Sequence, residues 1–206
     1  MQTIPIIYSK IQNLKLHAGT PIIDTRGISL NETVAAVTLE RLKSKTERGK
    51  VLVADTEGLN RKRFNPSFIE YCKTPGNELW LIEPIYDEED VFDAFLGAAD
   101  HLVFPYAFIK NDSVLPGIID ISDRCVPLLA CRKGMAQGKD LSRLIDSLTE
   151  TGFHNIMVVD MDGSISDDMW SDLSDICGGI IAYSPVRPID NGAGIVVEDV
   201  FPPEIS

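Results

Sequence analysis

Residues 78–108 restrict the possible folds more than any other stretch. Leu79-Trp80-Leu81-Ile82 and Leu102-Val103-Phe104 are short apolar runs without polar alternation. Such runs belong to strands buried on both faces, as in a parallel sheet. Between them Val91, Phe92, Phe95, Leu96 and Ala99 recur at i, i+1, i+4, i+5 and i+8, which lays one apolar stripe along a helix. Asp87, Glu88, Glu89 and Asp90 crowd its first turn, where the positive end of the helix dipole favours carboxylates. This is a strand–helix–strand unit, the crossover that parallel strands require.

The pattern recurs on both sides of that unit. Apolar runs start near residues 4, 51, 79, 102, 126, 155, 179 and 194. Ser29, with Glu32 completing a capping box, opens a predicted helix through Val34, Val37, Leu39 and Leu42. Pro66 stands at the first position of another, Gly152 ends the helix from Asp140 to Thr151, and Ser166 caps a fourth. Leu14-Lys15-Leu16-His17 alternates as a hairpin arm, and residues 19–27 read as a loop. Eight strands alternating with helices predict an α/β protein with right-handed crossovers, a (β/α)8 TIM-type barrel forming one domain over residues 1–206. Such barrels typically take ~250 residues. The shortfall falls at the C-terminal end, where about fifteen residues separate the last two strand starts. The helix between those strands is expected to be missing or reduced to a loop, and none follows the last strand.

A net charge of −12 argues against a nucleic-acid partner, which would need a positive surface. The four cysteines form no C-x-x-C pair, so a zinc site or redox dithiol is not expected. No apolar run approaches ~18 residues, and no signal peptide is visible. A cytoplasmic protein with no membrane partner, no cofactor and no bound metal is expected.

In barrels of this kind the C-terminal rim carries the active site. Tyr8, Lys10, Asp55, Glu57, Glu83, Tyr86, Tyr106, Cys131, Arg132, Lys133, Asp160, Asp162 and Tyr183 all stand at or just beyond strand ends. Asp55, Asp160 and Asp162 are the candidate catalytic residues, since neighbouring carboxylates push one pKa upward and divide acid and base roles. The same oxygens suit Mg²⁺. Tyr8, Glu83, Tyr106, Arg132 and Lys133 are the candidate ligand-binding residues, with Lys133 a Schiff-base former if desolvated. Each has a plainer reading: Asp55 and Asp160 as loop caps, Asp162-Gly163 as a turn, Cys131 as a small buried hydrophobe, Lys133 as a solvated loop cation, and the tyrosines as filling for the mouth. His17, His101 and His154 lie away from the rim.

Lys50-Val51-Leu52-Val53-Ala54-Asp55-Thr56-Glu57-Gly58, then Asn65 and its helix, then residues 79–108, together resemble the second to fourth units of the histidine-biosynthesis ProFAR isomerase family. Glu88-Glu89-Asp90-Val91 is the sharpest match; Ile4-Pro5, Leu14 to His17, and Val159-Asp160 with Asp162-Gly163 follow the same template. The likeness covers roughly residues 1–165 at low identity. The chain is also similar to the ProFAR-isomerase-related proteins of methanogens and of bacteria with methanopterin-linked chemistry, which implies a setting in one-carbon or cofactor metabolism. The resemblance implies a ribulose-phosphate-binding type of barrel.

The departures are chemical. Tyr8 and Cys131 stand where the family has strand-end aspartates, and Ile82-Glu83-Pro84 replaces its Gly-Gly-Gly phosphate loop. Pro84 has no N–H to donate, and Glu83 repels an anion. Pro105-Tyr106-Ala107 replaces Gly-Ser-Thr, and Ser184-Pro185 follows Tyr183 where the family has Gly-Gly. The histidine-pathway isomerisation is therefore not expected. Two functions remain: an enzyme acting on a small metabolite through the rim carboxylates, and a non-catalytic binding or assembly protein on a degenerate barrel. The missing C-terminal helices predict that Ile180, Ile181, Ile195, Val196 and Val197 leave apolar surface uncovered, and hence a homodimer or partner protein at those strands.

Overall fold

A computed structural model describes residues 2–13, 15–24, 27–30, 49–72, 76, 78–97, 99–201 and 204–205. In chain order these form β1 (Gln2–Gln12), β2 (Lys15–Ala18), β3 (Pro21–Asp24), β4 (Gly27–Leu30), β5 (Lys50–Asp55), α1 (Thr56–Arg61), α2 (Pro66–Cys72), β6 (Glu78–Ile82), α3 (Glu88–Leu96), β7 (His101–Pro105), α4 (Leu115–Ile121), β8 (Cys125–Arg132), β9 (Met135–Ala136), β10 (Lys139–Asp140), α5 (Leu141–Thr151), β11 (Ile156–Asp160), α6 (Asp167–Ile176), β12 (Ile180–Tyr183), β13 (Ile195–Asp199) and β14 (Glu204–Ile205). Short 3-10 turns cover Tyr106–Phe108 and Asp112–Val114.

Eight of these strands pair in parallel in the order β1, β5, β6, β7, β8, β11, β12, β13, and β13 pairs back onto β1. The sheet is closed, so it has no exposed edge. The fold is a TIM-type barrel, and its eight strands are the eight apolar runs of the sequence.

Strand alternation divides the apolar side chains into two cores. Ile4, Ile6 and Tyr8, Leu52 and Ala54, Trp80 and Ile82, Val103, Val126, Met157 and Val159, Ile181 and Tyr183, and Val197 pack together inside the barrel. Their neighbours, among them Ile7, Val53, Leu81, Leu102, Leu129 and Val158, join the helices in a second layer outside it. On α5, Leu141, Leu144, Ile145 and Leu148 form the buried stripe; on α6 it is Trp170 and Leu173.

Several local expectations are revised. Residues 19–27 are not simply a loop: Pro21–Asp24 pairs antiparallel with Gly27–Leu30, and Ser29 sits within β4 opposite Ile22 rather than at a helix start. The helix expected through Val34 to Leu42 lies outside the described residues. The segment after Asp55 forms a helix that the sequence did not suggest. Asp55 caps it by accepting the Glu57 N–H at 3.0 Å, and Lys62 closes it in the left-handed region at φ 52°.

No helix joins β12 to β13, as the spacing predicts. The expected exposure of these strands, however, does not occur. Ile180, Ile181, Val196 and Val197 are buried, and Ile195 is half-buried against the inner core. Ile189 and Ala193 from the connecting loop are buried in the outer layer, Val200 and Phe201 pack against it, and β14 pairs in parallel with β3. A packed loop and a returning tail therefore do the covering that a helix does elsewhere in the barrel. Among the described residues no helix is long and apolar enough to cross a membrane.

Candidate active site at the barrel mouth

The inner phase of each strand decides which strand-end residues face the mouth. On β1 the inward set Ile4, Ile6, Tyr8 continues to Lys10; on β13 Val197 continues to Asp199; on β12 Ile181 continues to Tyr183. The Tyr8 hydroxyl donates to the Tyr183 hydroxyl at 3.2 Å, and the Tyr183 hydroxyl donates to Asp199 Oδ1 at 2.8 Å. Three strands thus place one polar chain in the mouth, running toward a carboxylate. Burial pushes both phenols well above their ordinary range. Burial also raises Asp199, to about 6, against the opposing effect of the Tyr183 hydrogen bond. Asp199 therefore changes protonation near neutral pH, while the tyrosines stay protonated and relay hydrogen bonds. On β8 the inward Leu128 is half-buried and Ala130 is exposed, so the mouth is open to solvent on that side. Arg132 continues the same phase at the rim.

Beside this mouth lies a cleft of about 540 Å³, lined among the described residues by Lys10, Gln12, Ser29, Thr56, Glu57, Asn60 and Arg61 together with Ile11 and Leu30. It lies between the end of β1, β4 and α1. Lys10 is the next inward residue after Tyr8, about 6.6 Å further along the strand. Arg61 and Glu57 form an ion pair at 2.5 Å on one wall.

The three predicted catalytic carboxylates do not share one site. Asp55 lies on β5 and Asp160 on β11, four strands apart around the barrel. Both fall in the outward phase of their strands and are fully buried. Asp160 accepts the Ser164 and Ile165 N–H groups at 3.0 and 3.1 Å, tying down the loop after β11. Asp162 lies beside it on the exposed rim and accepts the Lys133 N–H at 3.1 Å. Hydrogen bonds, first that of the Ser164 side chain, hold the Asp162 carboxyl below its usual value.

Asp55 meets Glu83 instead. Besides capping α1, Asp55 accepts the Asn65 amide at 3.2 Å. Both oxygens of Glu83 are buried with no well-formed hydrogen bond from an N–H or hydroxyl, and the nearby Asn65 N–H only partly offsets that burial. Burial, and then the charge of Asp55, push the Glu83 carboxyl up to about 11. A Glu83 that keeps its proton and donates it to Asp55 satisfies both groups, and the Asp55 carboxyl is itself raised by burial. This pair lies outside the barrel wall, behind α1.

The remaining predicted ligand-binding residues fall elsewhere. Tyr106 is buried in the outer layer, where it donates to Asp112 at 2.7 Å and accepts from Lys139 at 3.1 Å. Lys133 is an exposed turn residue in the left-handed region at φ 52°, and Cys131 is a fully buried thiol pushed by burial to about 11. Of the predicted set, Tyr8 and Arg132 are on the mouth side. Among the described residues no three His, Cys, Asp or Glu side chains converge as a metal site would require.

Asp199 escaped the sequence reading, which ends the last strand at Val197. The signal was the period of two: Ile195, Val197 and Asp199 fall on one face. Compared with known proteins, the chain matches no family model and no curated protein.

Proposed function

We propose that this chain is an enzyme that moves a proton on a small metabolite held at the C-terminal mouth of the barrel, with Asp199 as the group that takes up and returns the proton. The observation that carries this reading is the hydrogen-bonded chain from Tyr8 through Tyr183 to Asp199. A carboxyl titrating near 6 is matched to acid–base work at neutral pH. In the base form Asp199 accepts a proton from the ligand and becomes the acid; the same proton then returns to the ligand or exchanges with water. Tyr183 stabilises the ionised form through its O–H, and Tyr8 orients Tyr183. The resemblance of its motifs to those of the ProFAR isomerase family supports an enzymatic reading of the barrel, while Tyr8 and Cys131 in place of two acids argue for a different reaction.

A metabolite panel screened by thermal shift tests this, since a ligand at ~100 times its dissociation constant stabilises by ~2.7 kcal/mol. Stabilising compounds are then incubated in D₂O and followed by NMR. The expected result is loss of one ligand C–H signal with wild-type protein and retention with Asp199→Asn, which still binds. The non-catalytic alternative has its own support, because Tyr8 and Tyr183 are buried side by side and fill part of the mouth. Binding without exchange in wild-type protein would establish that alternative.

A further inference from the structure

We infer that Asp55, Glu83 and the Arg63 carbonyl bind one divalent cation of the oxygen-seeking class that includes Ca²⁺, Mg²⁺ and Mn²⁺. This site lies behind α1 and stands apart from the proton-transfer reading of the mouth. Three observations lead to it. The first is convergence. Glu83 Oε2, Asp55 Oδ2 and the Arg63 carbonyl oxygen approach one point, the place a Cβ would take on Gly58, at 2.7, 2.8 and 3.1 Å. The second is that these oxygens lack donors. Glu83 is fully buried, and neither of its oxygens receives a well-formed hydrogen bond. Among the described residues no backbone N–H donates to the Arg63 carbonyl. The third is that the oxygens come from separate segments: Asp55 ends β5, Glu83 follows β6 and Arg63 follows α1. The fold, not one local turn, aims them at a common point.

A shared proton does not serve this group fully. It engages one oxygen of Asp55 and one of Glu83, and gives nothing to the second Glu83 oxygen or to the Arg63 carbonyl. A cation in the place of that proton serves every oxygen at once. Its two charges balance both carboxylates in their ionised form, which burial otherwise penalises. Asp90 acts on Glu83 with the same negative sign, which adds to the attraction. Three converging side chains are what a zinc-type site requires. A hard cation takes carboxylate and backbone carbonyl oxygens together, so two acids and one carbonyl suit it. Asp55 is already fixed for the role. The Glu57 N–H holds Oδ1 at 3.0 Å, and the Asn65 amide reaches Oδ2 at 3.2 Å, leaving that oxygen its second lone pair.

The probes are Ca²⁺, Mg²⁺ and Mn²⁺, titrated calorimetrically into EDTA-treated and dialysed wild-type, Glu83→Gln and Asp172→Asn proteins. Thermal melts establish that each variant is folded. Asp172 is an exposed carboxylate on the acidic helix α6 and controls for loose binding to an acidic surface. A single ion is expected to bind saturably to wild type and Asp172→Asn, and roughly tenfold or more weaker to Glu83→Gln. Manganese also locates the ion in the unaltered chain, whatever the fate of the variants. It is paramagnetic, so small amounts should broaden the amide NMR signals of Gly58 and Asn65 before that of Asp172. Three results would each overturn the inference: no saturable binding of any of these ions, a folded Glu83→Gln that binds like wild type, or broadening centred on Asp172 rather than Gly58.

Discussion

Asp55 and Glu83 close around Gly58. A Cβ at that position would lie 2.7 Å from Glu83 Oε2 and 2.8 Å from Asp55 Oδ2, with the Arg63 carbonyl oxygen 3.1 Å away. Two buried carboxyls, one at the end of β5 and one just after the adjacent β6, thus meet behind the first turn of α1.

Gly58→Ala is expected to destabilise the protein. Alanine favours a helix over glycine by ~1 kcal/mol. Against this, the added methyl would have to displace two buried carboxyl oxygens and crowd the Arg63 carbonyl, an overpacking cost of ~1–3 kcal/mol. The clash is expected to exceed the propensity gain, because both carboxyls are fully buried. Urea melts check it: a variant as stable as wild type would mean that the carboxyls move aside freely.

Glu83→Gln should change how stability depends on pH. Glu83 has a folded-state pKa of about 11 against an ordinary 4.5. Below the ordinary value both folded and unfolded chains hold this proton. Between the two values only the folded chain does, so its contribution to stability falls as pH rises, by at most ~1.4 kcal/mol per pH unit. Glutamine has no such proton. Melts at pH 5, 7 and 9 should show the variant gaining on wild type as pH rises, and parallel curves would rule out a protonated Glu83.

Asp160 and Asp162, two residues apart, should differ in their contribution to stability. Asp160 is fully buried and satisfies two loop N–H groups, so Asp160→Ala leaves donors unpaired inside the protein. Such a loss costs ~1–3 kcal/mol. Asp162 is exposed, so its bonds to the Lys133 N–H and to Ser164 compete with water, and Asp162→Ala is expected to stay within ~1 kcal/mol. Denaturant midpoints for the two variants, measured at one pH, decide it. A larger loss for Asp162 would show that the exposed carboxylate holds the two loops together.

The strands were legible because a parallel barrel buries both faces of each one, which writes an uninterrupted apolar run into the sequence. That same property hid the site. With both faces apolar, Val51-Leu52-Val53-Ala54 does not reveal which parity points inward, so Asp55 and Glu83 read as rim residues when they fall in the outward phase with Val53 and Leu81. The helix Thr56–Arg61 was illegible for another reason: it begins with Thr-Glu-Gly, and its stability lies in the Asp55 cap rather than in any apolar stripe. Asp199 was missed because the apolar run stops at Val197 while the backbone pairing continues through it to Ile6.

Tyr183→Phe should raise the pKa of Asp199. In the wild type, burial holds this carboxyl at about 6, and the Tyr183 hydroxyl donating at 2.8 Å opposes burial by favouring the ionised form. Phenylalanine keeps the ring in the mouth and removes that donor, so desolvation acts alone and the midpoint moves above 6. Tyr8→Phe acts one step further away. It takes the donor from the Tyr183 oxygen, which weakens the polarisation of the chain, and its effect on Asp199 should have the same sign and a smaller size. The raised wild-type value also fixes how stability responds. Below the ordinary carboxyl value of 3.8 both states are protonated, and between 3.8 and about 6 only the folded state keeps the proton. The Asp199 contribution to stability therefore falls as pH rises through that window, and Asp199→Asn should remove this dependence. A ¹³C titration of the Asp199 carboxyl in wild type, Tyr183→Phe and Tyr8→Phe reads all three midpoints directly. A wild-type midpoint near 4, or a Tyr183→Phe midpoint below that of wild type, would mean that Asp199 is solvated and that the chain of hydroxyls does not control it.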